Sequence, residues 1–208
     1  YRYPICVKGL GCADSKFGFN ITNVNYYQLT DVNTFDAIVD AGIQKKLSDS
    51  VTLSTGYLFE ALYFPNNENG TYVRNEANAS MSQKLLKWAY QKFTYRYSFK
   101  NYVDQKIILG NGTTGGDLRH DTRNIFEHEL GLYIKDTTRL KIINQIYYNK
   151  SNNEYFDYYD YVNYKLAGSI AHFFTRKLYT VTGLAYQRRT YQTRICSDKE
   201  RHQRDNLY

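Results

Sequence analysis

Along most of this chain apolar and polar positions alternate with the two-residue period of a β-strand. In TFDAIVDAGIQKK, Phe35, Ala37, Val39, Ala41 and Ile43 fall on one face and Asp36, Asp40 and Gln44 on the other. In VTLSTGYLFEALY, Val51, Leu53, Tyr57, Phe59, Ala61 and Tyr63 oppose Thr52, Ser54 and Glu60. Further on, Phe93, Tyr95, Tyr97 and Phe99 oppose Lys92, Thr94, Arg96, Ser98 and Lys100, and Phe126, Leu130, Leu132 and Ile134 oppose Glu127, Glu129 and Gly131. Val162, Tyr164, Leu166, Ile170 and Phe174 oppose Asn163, Lys165 and Ser169 in the same way. The pattern predicts strands over 34–46, 51–63, 75–86, 89–102, 123–135, 138–150, 160–174 and 177–191, with an additional one over 16–28.

These strands run to about 10–14 residues, longer than soluble sheets favour and long enough for a tilted strand to cross a bilayer. Their connections alternate in length. Leu47 to Ser50, the corner at Lys87 and Trp88, Asp136 to Thr138 and Thr175 to Lys177 are short, whereas 64–74, 103–122, 151–159 and 192–203 are long. If the strands run up and down in order, every short turn lies at one end, which is the asymmetry of outer-membrane barrels and not of Greek-key sandwiches. No repeat of solenoid length is present.

Alternation alone allows either face to be the interior. Eight or more such strands would point about 40 apolar, largely aromatic side chains into one small lumen, which has little room for them. The inverted arrangement places those groups against lipid. It packs Asp36, Asp40, Glu60, Glu127 and Glu129 inside with Lys84, Lys92, Arg96, Lys100, Lys141, Lys165 and Arg188. Composition agrees: aromatics reach 17 %, with 23 Tyr and 11 Phe, while Pro appears twice. Tyr and Trp gather where a ring meets hydrocarbon on one side and water on the other, so Tyr63, Trp88, Tyr90, Tyr102, Tyr148 and Tyr161, near predicted strand ends, are candidate membrane-interface residues.

The 208 residues suffice for one domain; an N-terminal segment over 1–30 with a possible first strand and a wall over 31–208 divide it. No apolar run of helix-spanning length occurs. The net charge of +7 is spread along the chain without a block of five or six Lys/Arg, so no nucleic-acid partner is expected. Cys6, Cys12 and Cys196 lack zinc-ligand spacing; Cys6 and Cys12 either close a small loop in an oxidising compartment or remain thiols.

Catalytic chemistry finds little support. Consecutive Glu127, His128 and Glu129 place the imidazole on the face opposite both carboxylates, His172 and Ser169 also fall on opposite faces, and His120 and Asp121 lie with Arg119 and Arg123 in or beside the longest predicted loop as a solvated surface. GNGTTGG at 110–116 lacks the Lys-Ser/Thr ending of a phosphate loop and reads as an external loop. Neither cofactor nor metal is expected, and the chain is not expected to be an enzyme. Asn-x-Ser/Thr sequons at Asn20, Asn69, Asn78, Asn111 and Asn149 keep a second class of answer open, a secreted or viral soluble β-rich glycoprotein acting as a binding or adhesion module.

DTRNIFEHELGLYIKDTTRLKIINQIYYNKSNNEYFDYYDYVNYKLAGSIAHFFTRKLYTVTGLAYQRRTYQTR and RHQRDNLY resemble bacterial outer-membrane β-barrel proteins of the putative porin type, over about 34–208 and in texture, without a diagnostic motif. The resemblance implies a Gram-negative outer membrane, a wall of antiparallel strands and passage of solute. RHQRDNLY departs from the aromatic-ended last strand of such barrels and reads as the start of another. The expectation is therefore an antiparallel up-and-down transmembrane barrel, or most of one, with about eight to ten strands here. Its partners would be the bilayer, lipopolysaccharide and small solutes. Its lumen or selectivity residues would be Asp36, Asp40, Glu60, Lys92, Arg96, Lys100, Glu127, Glu129 and Lys165. A barrel closing at ten strands or fewer would be filled by lumen side chains and serve as a structural or adhesion protein. With further strands a water-filled channel would form, in which the Lys92, Arg96, Lys100 column facing Asp36, Asp40, Glu127 and Glu129 sorts solutes by charge.

Overall fold

A computed structural model describes residues 2–7, 11–26, 32–67, 70–135, 137–154, 159–175 and 178–191. The ten strands found there form one antiparallel sheet in chain order: β1 (Arg2–Val7), β2 (Gly11–Val24), β3 (Thr34–Lys46), β4 (Val51–Tyr63), β5 (Tyr72–Leu86), β6 (Ala89–Ile108), β7 (Thr114–Ile134), β8 (Thr138–Ser151), β9 (Tyr161–Phe173) and β10 (Tyr179–Tyr191). Each pairs with its sequence neighbours, and among the described residues β1 and β10 do not pair, so the sheet is not closed into a barrel. The expected up-and-down order is present. The residues expected to open a further strand, RHQRDNLY, lie outside the described residues, as does Cys196.

The two-residue period explains why these segments are strands, and the turns explain their register. Between β3 and β4, Leu47 N donates to Val51 O at 2.9 Å and Ser48 Oγ accepts from Val51 N at 3.1 Å. Lys46 donates to Asp49 there at 2.7 Å, which holds the exposed Asp49 carboxyl below its usual range. Lys135 takes a positive φ of 56° in the β7–β8 turn, and Thr175 Oγ1 accepts from Leu178 N at 3.0 Å between β9 and β10.

Three expectations are corrected. First, β1 was not anticipated, and β2 starts and ends earlier than 16–28. Cys6 and Cys12 are cross-strand partners in the β1–β2 ladder, and Cys12 is disulfide-bonded. Secondly, most of 103–122 is strand: β6 and β7 run to 20 and 21 residues and meet in a tip at 109–113. Register shifts between Asn101 and Lys106, and again before Ile108, break the alternation that would have revealed them. GNG forms that tip, with Gly112 at φ 84° donating to Leu109 O. Thirdly, Arg188 pairs with Tyr164 in the ladder and so lies on the apolar face, not among the acids.

The exposure of the two faces is inverted relative to a water-soluble sheet. Along β4, Leu53, Tyr57, Phe59 and Tyr63 are exposed, whereas Thr52, Ser54 and Leu58 are half-buried and Glu60 is buried. Phe17, Phe19, Phe93, Phe126, Ile170 and Leu184 continue the exposed apolar face from β2 to β10, Leu184 at 85 %. Buried polar residues, Ser98, Arg119, Asp121, Asn149 and Asn163 among them, outnumber the four buried apolar ones among the described residues.

Candidate functional site

Register stacks the polar face in rows that cross the strands. Glu60, Arg74, Lys100, Asp121 and Ser151 form one row from β4 to β8. The row below it, toward the short turns, holds Glu76, Ser98, Arg123, Asn149, Tyr161 and Tyr191; the next holds Asn78, Arg96, Ile125, Tyr147, Asn163 and Arg189. Lower still lie Thr94, Glu127, Gln145 and Lys165, then Lys92 and Glu129. These positions share a face because each pairing step preserves the parity of the strand.

Several of the charges are matched locally. Glu60 takes an ion pair from Arg74 and a 2.6 Å hydrogen bond from the Tyr72 hydroxyl. Glu127 accepts from Arg96 at 2.9 Å and from Gln145 at 2.7 Å. Glu129 accepts from the Tyr90 hydroxyl at 2.7 Å and lies 3.6 Å from Lys141, while Asp40 meets Lys16 at 3.3 Å. Deepest is Arg119, which donates through Nε and Nη2 to Asp121 at 2.9 and 2.6 Å, both side chains being 7 % exposed. Its guanidinium lies between the rings of Tyr102 and Tyr159, at 4.4 and 3.3 Å.

That clasp joins the extended β6–β7 hairpin to the segment after β8. Asn152 Oδ1 accepts from His120 N at 2.8 Å and Asn153 Oδ1 from Ile108 N at 2.7 Å, while Glu154 N donates to Ile108 O at 3.0 Å. The reading of Arg119 and Asp121 as a solvated loop surface is therefore corrected: they are buried strand residues, because β7 begins nine residues earlier than expected.

Asp36, Asp40, Glu60, Lys92, Arg96, Lys100, Glu127, Glu129 and Lys165 all fall on the polar face. Two of the acids expected to face the basic column adjoin it instead. Arg96 is bonded to Glu127 on the adjacent strand and Lys92 is the ladder partner of Glu129. The aromatic residues divide. Tyr63, Trp88 and Tyr148 are exposed, Tyr63 and Tyr148 on the apolar face and Trp88 in a turn. Tyr90, Tyr102 and Tyr161 turn to the polar face instead, where they bond Glu129, flank Arg119 and accept from Arg123. Strand-end position was legible for these three, but parity decides the face. The remaining histidine question resolves the same way, since His128 stacks on Phe93 of the apolar face at 4.7 Å. Among the described residues no cluster of three or more His, Cys, Asp or Glu could hold a metal.

Gly131 shows how closely this face is packed. A Cβ there would lie 2.0 Å from the Tyr90 ring. Gly131→Val is expected to push Tyr90 off Glu129 and lower stability by about 1–3 kcal/mol, read from the urea midpoint of refolded protein.

Comparison with family models, curated proteins and solved structures found no match. The site therefore rests on its own geometry. On the opposite face, Ile43, Leu53, Met81, Phe93, Phe126 and Tyr164 border an open depression of ≈ 830 Å³ at mid-strand height. Residues that sequence reasoning did not single out as a site are Arg123, Tyr147, Asn149, Asn163 and Arg189. Their alternation was visible, but their proximity follows only from the register.

Proposed function

We propose that this sheet is wall from a Gram-negative outer-membrane β-barrel, serving porin-like passive transport of small solutes or acting as a scaffold of that membrane. The observation that carries the reading is the inversion of the faces. An exposed apolar face reaches from β2 to β10, while several ionisable side chains opposite pair with one another. Covering one such Leu or Phe with hydrocarbon is worth about 1.5–3 kcal/mol relative to leaving it in water. Strand length supports it too: 13 residues in β3, β4, β9 and β10 extend about 43 Å and, when tilted by about 45°, cover a bilayer core of about 30 Å. In lipid the outer edges of β1 and β10 would also need hydrogen-bond partners.

A second reading draws on the apolar depression: a secreted or viral soluble glycoprotein that takes an apolar partner there. Its sequons fit less well, because Asn78 lies within β5 and Asn149 is buried in β8. Reconstitution into planar bilayers separates the two. The transport reading expects stepwise ion conductance. Protein that inserts without conductance leaves only the scaffold role, and protein that stays in the aqueous phase sinks the membrane reading.

A further inference from the structure

We infer that Lys100, Arg123 and Arg189 form an oxyanion-binding strip on the polar face, taking small solutes that carry a carboxylate or phosphate. Its role in passage rests on the transport reading above, but its chemistry does not.

The strip combines cations that lack a carboxylate partner, a lack shared on this face by Lys92, Arg139 and Lys165 among the described residues, with tyrosine cradles and a hydrogen-bond donor left over. Arg74, Arg96, Arg119, Lys16 and Lys141 each have a carboxylate within ion-pairing distance, whereas among the described residues Lys100, Arg123 and Arg189 have none. Tyrosine rings hold them instead. Lys100 Nζ lies 3.6 Å from the Tyr72 ring centre and 4.6 Å from that of Tyr102; Arg123 lies over Tyr147 at 4.9 Å and Arg189 over Tyr161 at 5.3 Å. Ring faces position a cation without neutralising it, although Lys100 also feels the attraction of Asp121, its ladder partner.

The three occupy successive rows and different strands, β6, β7 and β10, so they track diagonally across the wall rather than clustering on one turn. Arg123 is oriented by Asn149 Oδ1 at 3.1 Å and the Tyr161 hydroxyl at 3.2 Å. Arg189 is exposed, and besides its hydrogen bond with Tyr191 its planar fork has further N–H donors for a carboxylate or phosphate. Beside it in the ladder, Asn163 is fully buried, and its Nδ2 has no hydrogen-bond partner, a donor left over where a bound oxygen would use it.

Calorimetric titration of detergent-purified protein with inorganic phosphate and with citrate at low ionic strength tests this, since binding is read whether or not the protein conducts. Wild-type protein is expected to bind at least one of them, the tighter one naming the solute class. Arg123→Gln/Arg189→Gln is expected to weaken that binding about tenfold or more, and Arg189→Lys to retain most of it. Arg188→Gln, which removes an exposed cation from the opposite face, should change affinity by less than about twofold. If the double variant does not refold, Lys100→Met is read in its place with the same expected direction. Absence of binding by either anion, equal affinity in the variants, or an equal loss in Arg188→Gln would each overturn the assignment. Binding without conductance would retain the strip and remove the transport reading.

Discussion

Ala79→Lys is expected to destabilise the protein in lipid vesicles by about 2–4 kcal/mol, the cost of a cationic side chain at mid-depth on the lipid side of a barrel. Ala79 is chosen because it is small, exposed and on the apolar face, seven residues from the short-turn end of β5, where it borders the depression. Removing its methyl group sacrifices almost no packing, so the measured change reports the medium that the face meets. Ile134→Lys, on the same face but at the short-turn end of β7, should cost only about 0–1 kcal/mol beyond the loss of the isoleucine itself, because lysine there reaches headgroups. Urea unfolding of vesicle-inserted protein gives both values. An Ala79→Lys change within about 0.5 kcal/mol, as expected for a surface position in water, would place this face in solvent.

Asp121→Ala has the second large effect, about 3–5 kcal/mol, because it leaves the Arg119 guanidinium buried between Tyr102 and Tyr159 without its carboxylate. Both side chains are 7 % exposed, so water can replace little of what is lost. The damage should be local first. The clasp anchors the β6–β7 extension and the segment at 152–154, so limited proteolysis is expected to begin near 109–113 before the rest of the sheet opens. Replacing both partners, Arg119→Leu with Asp121→Ala, should recover much of the loss, since the stranded charge is removed with its partner. A single variant as stable and as protease-resistant as the parent would show that the clasp does not hold this end together.

These two residues mark where sequence reasoning stops. In β3 and β4 the alternation runs unbroken, and both strands occupy 34–46 and 51–63 as expected. Near Asn101 and Lys106 the ladder shifts register, parity is lost, and most of 103–122, which looked like a loop, instead lengthens β6 to Ile108 and starts β7 at Thr114. The parity of Arg96 and Glu127 was legible, but not that they touch. Contact depends on register across a hairpin, which a few residues of turn geometry set. Tyr90, Tyr102 and Tyr161 make the same point, since closeness to a strand end says nothing about which side the ring takes.

Trp88 offers the most direct test of whether this face meets lipid. It is the chain's single tryptophan, exposed in the turn between β5 and β6, at the end where a bilayer interface would lie. Its fluorescence should be measured after refolding into vesicles whose lipids carry bromine at defined depths on the acyl chains. The membrane account predicts blue-shifted emission, quenched most by bromine near the headgroups and progressively less toward the bilayer centre. Emission typical of water, indifferent to bromine at every depth, would contradict it.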